Sequence, residues 1–139
     1  MADTTTILMD TRYRTITHTV FNGTNSNNKF LDVSTLVGYV NDESRVNLKA
    51  INWSIPIGGP VDIRWGNSGV IAMTLNGQGK YGGADGLPAL VNTFTTGASF
   101  GDCRLHNGTT SQGFFVCVFH KVDYPAGSGI GWTNDVTPV

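Results

Sequence analysis

Two pairs of residues have the types and spacing to hold a metal ion. Cys103-Arg104-Leu105-His106 and Cys117-Val118-Phe119-His120 repeat a Cys-x-x-His pattern, and thiolate and imidazole are ligands that zinc favours. The second pair lies in a run of β-forming residues, where side chains three apart point to opposite faces and do not close on one ion. Only Cys103 and His106 have the freedom of a turn. The expected reading is therefore core thiols and strand-end histidines, with no metal. Residues 77–82, Gly-Gln-Gly-Lys-Tyr-Gly, match the letters of a dinucleotide-binding loop, and Asp102 falls where a ribose-binding acid would be sought. That loop needs a helix whose first amides hold the pyrophosphate. The next residues, Gly83-Ala84-Asp85-Gly86-Leu87-Pro88, are hostile to helix. Gly77 and Gly79 read instead as strand positions on one face with Leu75 and Tyr81, leaving room for a bulky neighbour such as Trp53 or Trp65. An Asn76-Gly77 hairpin is the competing reading.

Catalysis has few candidates. A nucleophile needs an oriented base, and the chain offers only His18, His106 and His120. No serine sits in a Gly-x-Ser-x-Gly elbow. The acids, among them Asp10, Asp32, Asp42, Glu43, Asp62, Asp85, Asp102, Asp123 and Asp135, fall mainly where turn chemistry explains them. No catalytic residue and no cofactor are expected. Trp53, Trp65 and Trp132 would suit a sugar-stacking platform, but Trp53 and Trp65 are in phase with isoleucines and read as core. Trp132 stands in a glycine-rich stretch with no strand pattern to bury it, and reads as an exposed aromatic anchor at a protein interface.

The elements that must position these residues are strands. Residues 12–21, Arg-Tyr-Arg-Thr-Ile-Thr-His-Thr-Val-Phe, alternate with period two and are rich in β-branched and aromatic types. Residues 22–29 contain nearly every turn-former and no apolar side chain, so an exposed loop is expected there. Between residues 45 and 57 the apolar positions change phase, from Val46, Leu48 and Ala50 to Ile51, Trp53, Ile55 and Ile57. A strand cannot change faces without an extra residue, so a β-bulge is expected at Ala50 and Ile51, and Pro56 marks an edge or strand end. Residues 61–65 and 70–75 come next as antiparallel meander strands. Residues 114–122 are apolar on both faces, which makes that strand central or covered by a partner. Short helical turns have room only within residues 42–49 or 88–92. The expected fold is all-β: an antiparallel β-sandwich or jelly-roll-like domain, with a core over residues 12–122, an N-terminal arm over 1–11 and a C-terminal tail over 123–139.

At 139 residues one core suffices. Charged residues make up only 14% of the chain, and nine basic against ten acidic side chains leave a formal net charge of -1. That balance gives no excess of cations for phosphate contacts, so nucleic acid is not an expected partner. The opening Met1-Ala2-Asp3-Thr4-Thr5-Thr6 has no basic segment leading into an apolar one, and no run is long enough to cross a bilayer. Synthesis in a cytoplasm is expected, with Cys103 and Cys117 as buried free thiols. The Asn-x-Ser/Thr triplets at Asn22, Asn52 and Asn107 then read as turn and strand residues rather than sugar acceptors. Residues 4–9 and 130–139 carry apolar side chains without helix signals, and read as arms that order against a neighbouring subunit. The expected interface comprises Ile7, Leu8, Met9, Arg12, Arg14, Ile130, Trp132 and Val136.

The block Ile51-Asn52-Trp53-Ser54, Gly58-Gly59, Val61-Asp62-Ile63-Arg64-Trp65, residues 75–81, Gly86-Leu87-Pro88 and the closing strand over 115–121 resembles small virion structural proteins of tailed bacteriophages, capsid decoration or cement proteins in particular. The resemblance covers about half the chain and is a pattern of Trp, Gly and β-forming residues. It implies a compact, non-catalytic β domain on the outside of a phage head, made in the host cytoplasm. The implied partners are the major capsid protein and other copies of the chain, as a homodimer or homotrimer. Neither a membrane nor direct nucleic acid is an expected partner. A tail- or fibre-associated glycan-binding module is the second reading, and an uncharacterised hydrolase the third.

Overall fold

The computed structural model describes residues 2–40, 44–56, 59–66, 70–83, 87–91, 102–122 and Trp132. Among the described residues, seven strands run in the order β1 (Ala2–Asp10), β2 (Arg14–Leu31), β3 (Arg45–Ser54), β4 (Val61–Trp65), β5 (Val70–Leu75), β6 (Gln78–Gly82) and β7 (Cys103–Val122), with a 3-10 turn at Val33–Thr35. The fold is all-β and antiparallel, as the strand signals required. The strands are bonded into one curled sheet in the order β1-β2-β7-β3-β6, with β4 also on β7 and β5 on β4.

The curl comes from β2 and β7. A straight strand the length of β2 would reach roughly 60 Å at about 3.3 Å per residue. Phe21 and Phe30 lie nine residues apart on it, yet both rings meet Phe115, at centroid distances of 6.1 and 5.0 Å. The strand therefore folds over between them. Register with β7 shifts between Gly23 and Asn25 and again between Asn25 and Asn28, and Gly23 and Asn27 take positive φ values of 75° and 58°. These are the residues expected to form an exposed loop. They form a bent length of strand instead, because their amides satisfy the disrupted ladder from within. Asn107 on β7 accepts from the backbone N–H of Asn25 at 2.9 Å and from its side-chain amide at 3.0 Å, and donates to the Gly23 carbonyl at 2.8 Å. Both asparagines are fully buried.

The bend divides the sheet into two limbs across one core. On one limb, residues 114–122 of β7 lie between β2 and β3. On the other, β4 pairs with residues 103–106 of β7. Val46, Leu48, Ile51, Ile63, Trp65, Leu105, Phe115 and Phe119 fill the space between. The change of phase in β3 is a register shift between Leu48 and Ala50, so Leu48 and Ile51 both reach this core. The β4–β5 hairpin forms as expected, but β3 pairs with β6 rather than β4. Neither expected helical turn is found among the described residues: 45–49 are strand, and Leu90 bridges Leu48.

Gly77, with φ 67°, carries the chain from one limb to the other and does not close a hairpin, since β5 and β6 are not paired. Gly79 does what its spacing suggested. A Cβ there would lie 2.6 Å from the Trp53 ring, so the indole covers β6 only because that position is bare. Gly79→Val is expected to cost about 1–3 kcal/mol through overpacking, read as a lower urea midpoint at unchanged slope.

Candidate functional site

All four residues of the two Cys-x-x-His pairs belong to β7. The turn that would have freed Cys103 and His106 is absent, and alternation separates each pair across the sheet. Both cysteines are buried free thiols, and burial pushes both well above the ordinary thiol range. Among the described residues no three His, Cys, Asp or Glu side chains come together as metal ligands. His18 packs edge-on against Phe114 at 5.7 Å. His120, across from Arg14, is held below its ordinary value by burial and then by the charges of Lys49 and Arg14.

The segment expected to be an arm that orders against a neighbouring subunit is a strand of the chain's own sheet. β1 pairs along β2 from Ala2↔Asn22 to Asp10↔Thr15, and its last residue is clamped. The ammonium of Lys121, whose side chain is wholly buried, meets Asp10 Oδ1 at 2.5 Å and also donates to the carbonyls of Thr11 and Val37. The other Asp10 oxygen accepts from the Val37 N–H at 2.8 Å, and Thr15 Oγ1 donates to Oδ1 at 3.0 Å. Burial lowers the Lys121 pKa, the Asp10 hydrogen bond and charge oppose that, and Arg12 adds to it.

Trp132 completes the clamp, and here the expectation of an exposed anchor is corrected. It is 1% exposed, lies 4.9 Å from the Lys121 ammonium, and donates through Nε1 to the Arg45 carbonyl at 2.9 Å. Arg12, also expected at an interface, is buried and donates to the Trp132 carbonyl. An indole buried by long-range partners leaves no periodic signal in the residues around it, which is why the local pattern misread it. Ile130 and Val136 lie outside the described residues, as does the rest of the C-terminal tail.

Ile7, Leu8 and Met9 are 46%, 57% and 38% exposed, and Arg14 is exposed beside Tyr13. Among the described residues, β1 pairs only with β2, so its other edge presents unused backbone donors and acceptors. From Thr4 to Met9 that edge has no charge and no proline, the usual devices that blunt an edge. Its register skips Leu8, with Ile7 opposite Thr17 and Met9 opposite Ile16. The skip explains how three consecutive apolar side chains reach solvent where plain alternation would turn one inward.

The outward face of the sheet extends this surface. Ile16 and Val118 lie beside Met9 in neighbouring strands, and further along Val20 pairs with Phe114, which is 41% exposed. Around Phe114 runs an open groove of about 750 Å³, lined by residues of β2, β3, β6 and β7. Sequence reasoning missed Phe114 and Tyr13 as surface residues. The one signal available was that residues 114–119 are apolar on both faces, a pattern that a central strand with an uncovered outer face also produces. No protein-family model, curated protein or solved structure matches the chain.

Proposed function

We propose that this chain is a non-enzymatic virion structural protein of a tailed bacteriophage: a capsid decoration or cement protein, made in the host cytoplasm and held on the outside of the head. It would stabilise contacts between major capsid subunits. The observation that carries the reading is the β1 edge, where Ile7, Leu8 and Met9 stand exposed beside backbone hydrogen-bonding groups that no other described strand uses. An edge of this kind takes up an extended segment of another chain: main-chain hydrogen bonds supply affinity, and exposed side chains supply selectivity. The expected partners are the major capsid protein and other copies of this chain, as a homodimer or homotrimer.

The sequence resemblance supplies the setting, and three physical features support it. A net charge near zero gives little attraction to packaged nucleic acid. Low charge also makes an apolar edge contact insensitive to salt. A modest interface repeated over a capsid gains strength from the number of copies. Purified protein mixed with heads that lack it, then imaged in negative stain, is expected to add regular density to the outer surface. Heads that look the same with and without the protein would overturn the reading.

A further inference from the structure

The groove around Phe114 differs in chemistry from the β1 edge, and its amides differ from those in the bend. In the bend, the side chains of Asn25, Asn28 and Asn107 are tied into the protein by hydrogen bonds. Around Phe114, the amides of Asn22, Gln78 and Gln112 and the hydroxyl of Ser54 line open space. Among the described residues, none of these four side chains bonds to the chain. The groove thus offers an exposed aromatic face ringed by groups that both donate and accept, with His18 edge-on to the ring.

We infer that this groove is a binding site for a neutral oligosaccharide, with Phe114 as the stacking platform and the amides of Gln78, Gln112 and Asn22 as partners for sugar hydroxyls. A pyranose ring presents an apolar C–H face, which suits an aromatic side chain. Its hydroxyls both donate and accept, which suits amides and serine better than charged groups of one sign. Among the described residues no carboxylate, lysine or arginine lines this groove, so a charged ligand would find no counterion around Phe114 itself; along the outer face, Lys80 lines the adjoining groove. A second open groove of about 540 Å³ shares Ser54, Gln78 and Phe114 with the first and continues past Asn52 to Trp53 and Lys80. That continuity gives room for several sugar units in a row and favours a chain over a monosaccharide.

This inference is independent of the edge-strand reading, since it uses a different part of the outer face. The test is calorimetric titration of the full chain with cellopentaose, maltopentaose and chitopentaose as neutral probes and oligogalacturonate as the anionic one. At least one neutral probe is expected to bind with a Kd of about 1 mM or tighter. Phe114→Ala should weaken that binding by about 10-fold or more, and Gln78→Ala by a smaller factor, while thermal melting stays as in the unmodified protein. The site assignment is overturned if no neutral probe binds, if oligogalacturonate binds more tightly, or if Phe114→Ala binds as well as the original. Melting curves identify any variant that fails to fold, and the exposed Gln78 then serves as the second probe of the same groove.

Discussion

Replacing Lys121 by Met is expected to destabilise the fold by about 3–5 kcal/mol, the range for removing one partner of a buried ion pair. Met keeps the aliphatic stem and much of its packing, so the loss comes from the charge. Asp10 would keep its bonds from Val37 and Thr15 but lose its cation, and the carbonyls of Thr11 and Val37 would lose their shared donor. The face of Trp132 would lose the ammonium beside it. Urea unfolding near neutral pH is the measurement. The double variant Asp10→Asn/Lys121→Met should recover part of the loss, because it removes the orphaned carboxylate. If Lys121→Met alone unfolds within about 1 kcal/mol of the original, the clamp does not hold the end of β1.

A comparable loss is expected from Asn107→Leu, a change close in shape. It strands the backbone N–H of Asn25 and the carbonyl of Gly23 and leaves the Asn25 side-chain amide only its long 3.5 Å bond to the Asn22 carbonyl. Unpaired buried polar groups cost about 1–3 kcal/mol each, so a total of about 3–5 kcal/mol is expected after partial relaxation. The consequence is also geometric. The Asn25–Asn107 pair sits where β2 folds over, and that fold brings Phe30 onto Phe115. Asn22→Ala is the matched control, because the Asn22 side chain bonds nothing among the described residues. Its unfolding midpoint should move by no more than a surface substitution does, about 0.5 kcal/mol. Equal losses from Asn107→Leu and Asn22→Ala would contradict the role assigned to the bend.

These two clusters also show where the amino-acid sequence was readable. Local periodicity located the strands over 61–65 and 70–75 and the phase change at Ala50, because one-sided burial leaves a period-two imprint over a few residues. The space at Gly79 was legible for a similar reason, since a bare position in a strand needs a bulky neighbour. The bend was not legible. Residues 22–29 carry the composition of a solvent loop, and their reading depends on Asn107, 82 residues from Asn25. Trp132 failed in the same way: its burial rests on Lys121, Arg12 and Arg45, none of them near it in the chain. The surface was half legible. The apolar run Ile7-Leu8-Met9 is expected from sequence to face a partner and is exposed in the structure, but its strand identity comes from pairing with β2. Phe114 was hidden in a run whose two faces look alike in sequence.

The β1 edge is tested most directly by one substitution on it. Leu8 is exposed and has no partner in the β1–β2 register, so Leu8→Lys should leave melting within a degree or two of the original, as surface changes away from caps and cores do. It also puts a charge where natural edges use one to repel pairing. Co-sedimentation with heads that lack the protein is the measurement. The original chain is expected to pellet with the heads, and Leu8→Lys to remain in the supernatant with an affinity at least about 10-fold weaker. A folded Leu8→Lys variant that pellets as fully as the original would contradict the assignment of β1 as the binding edge.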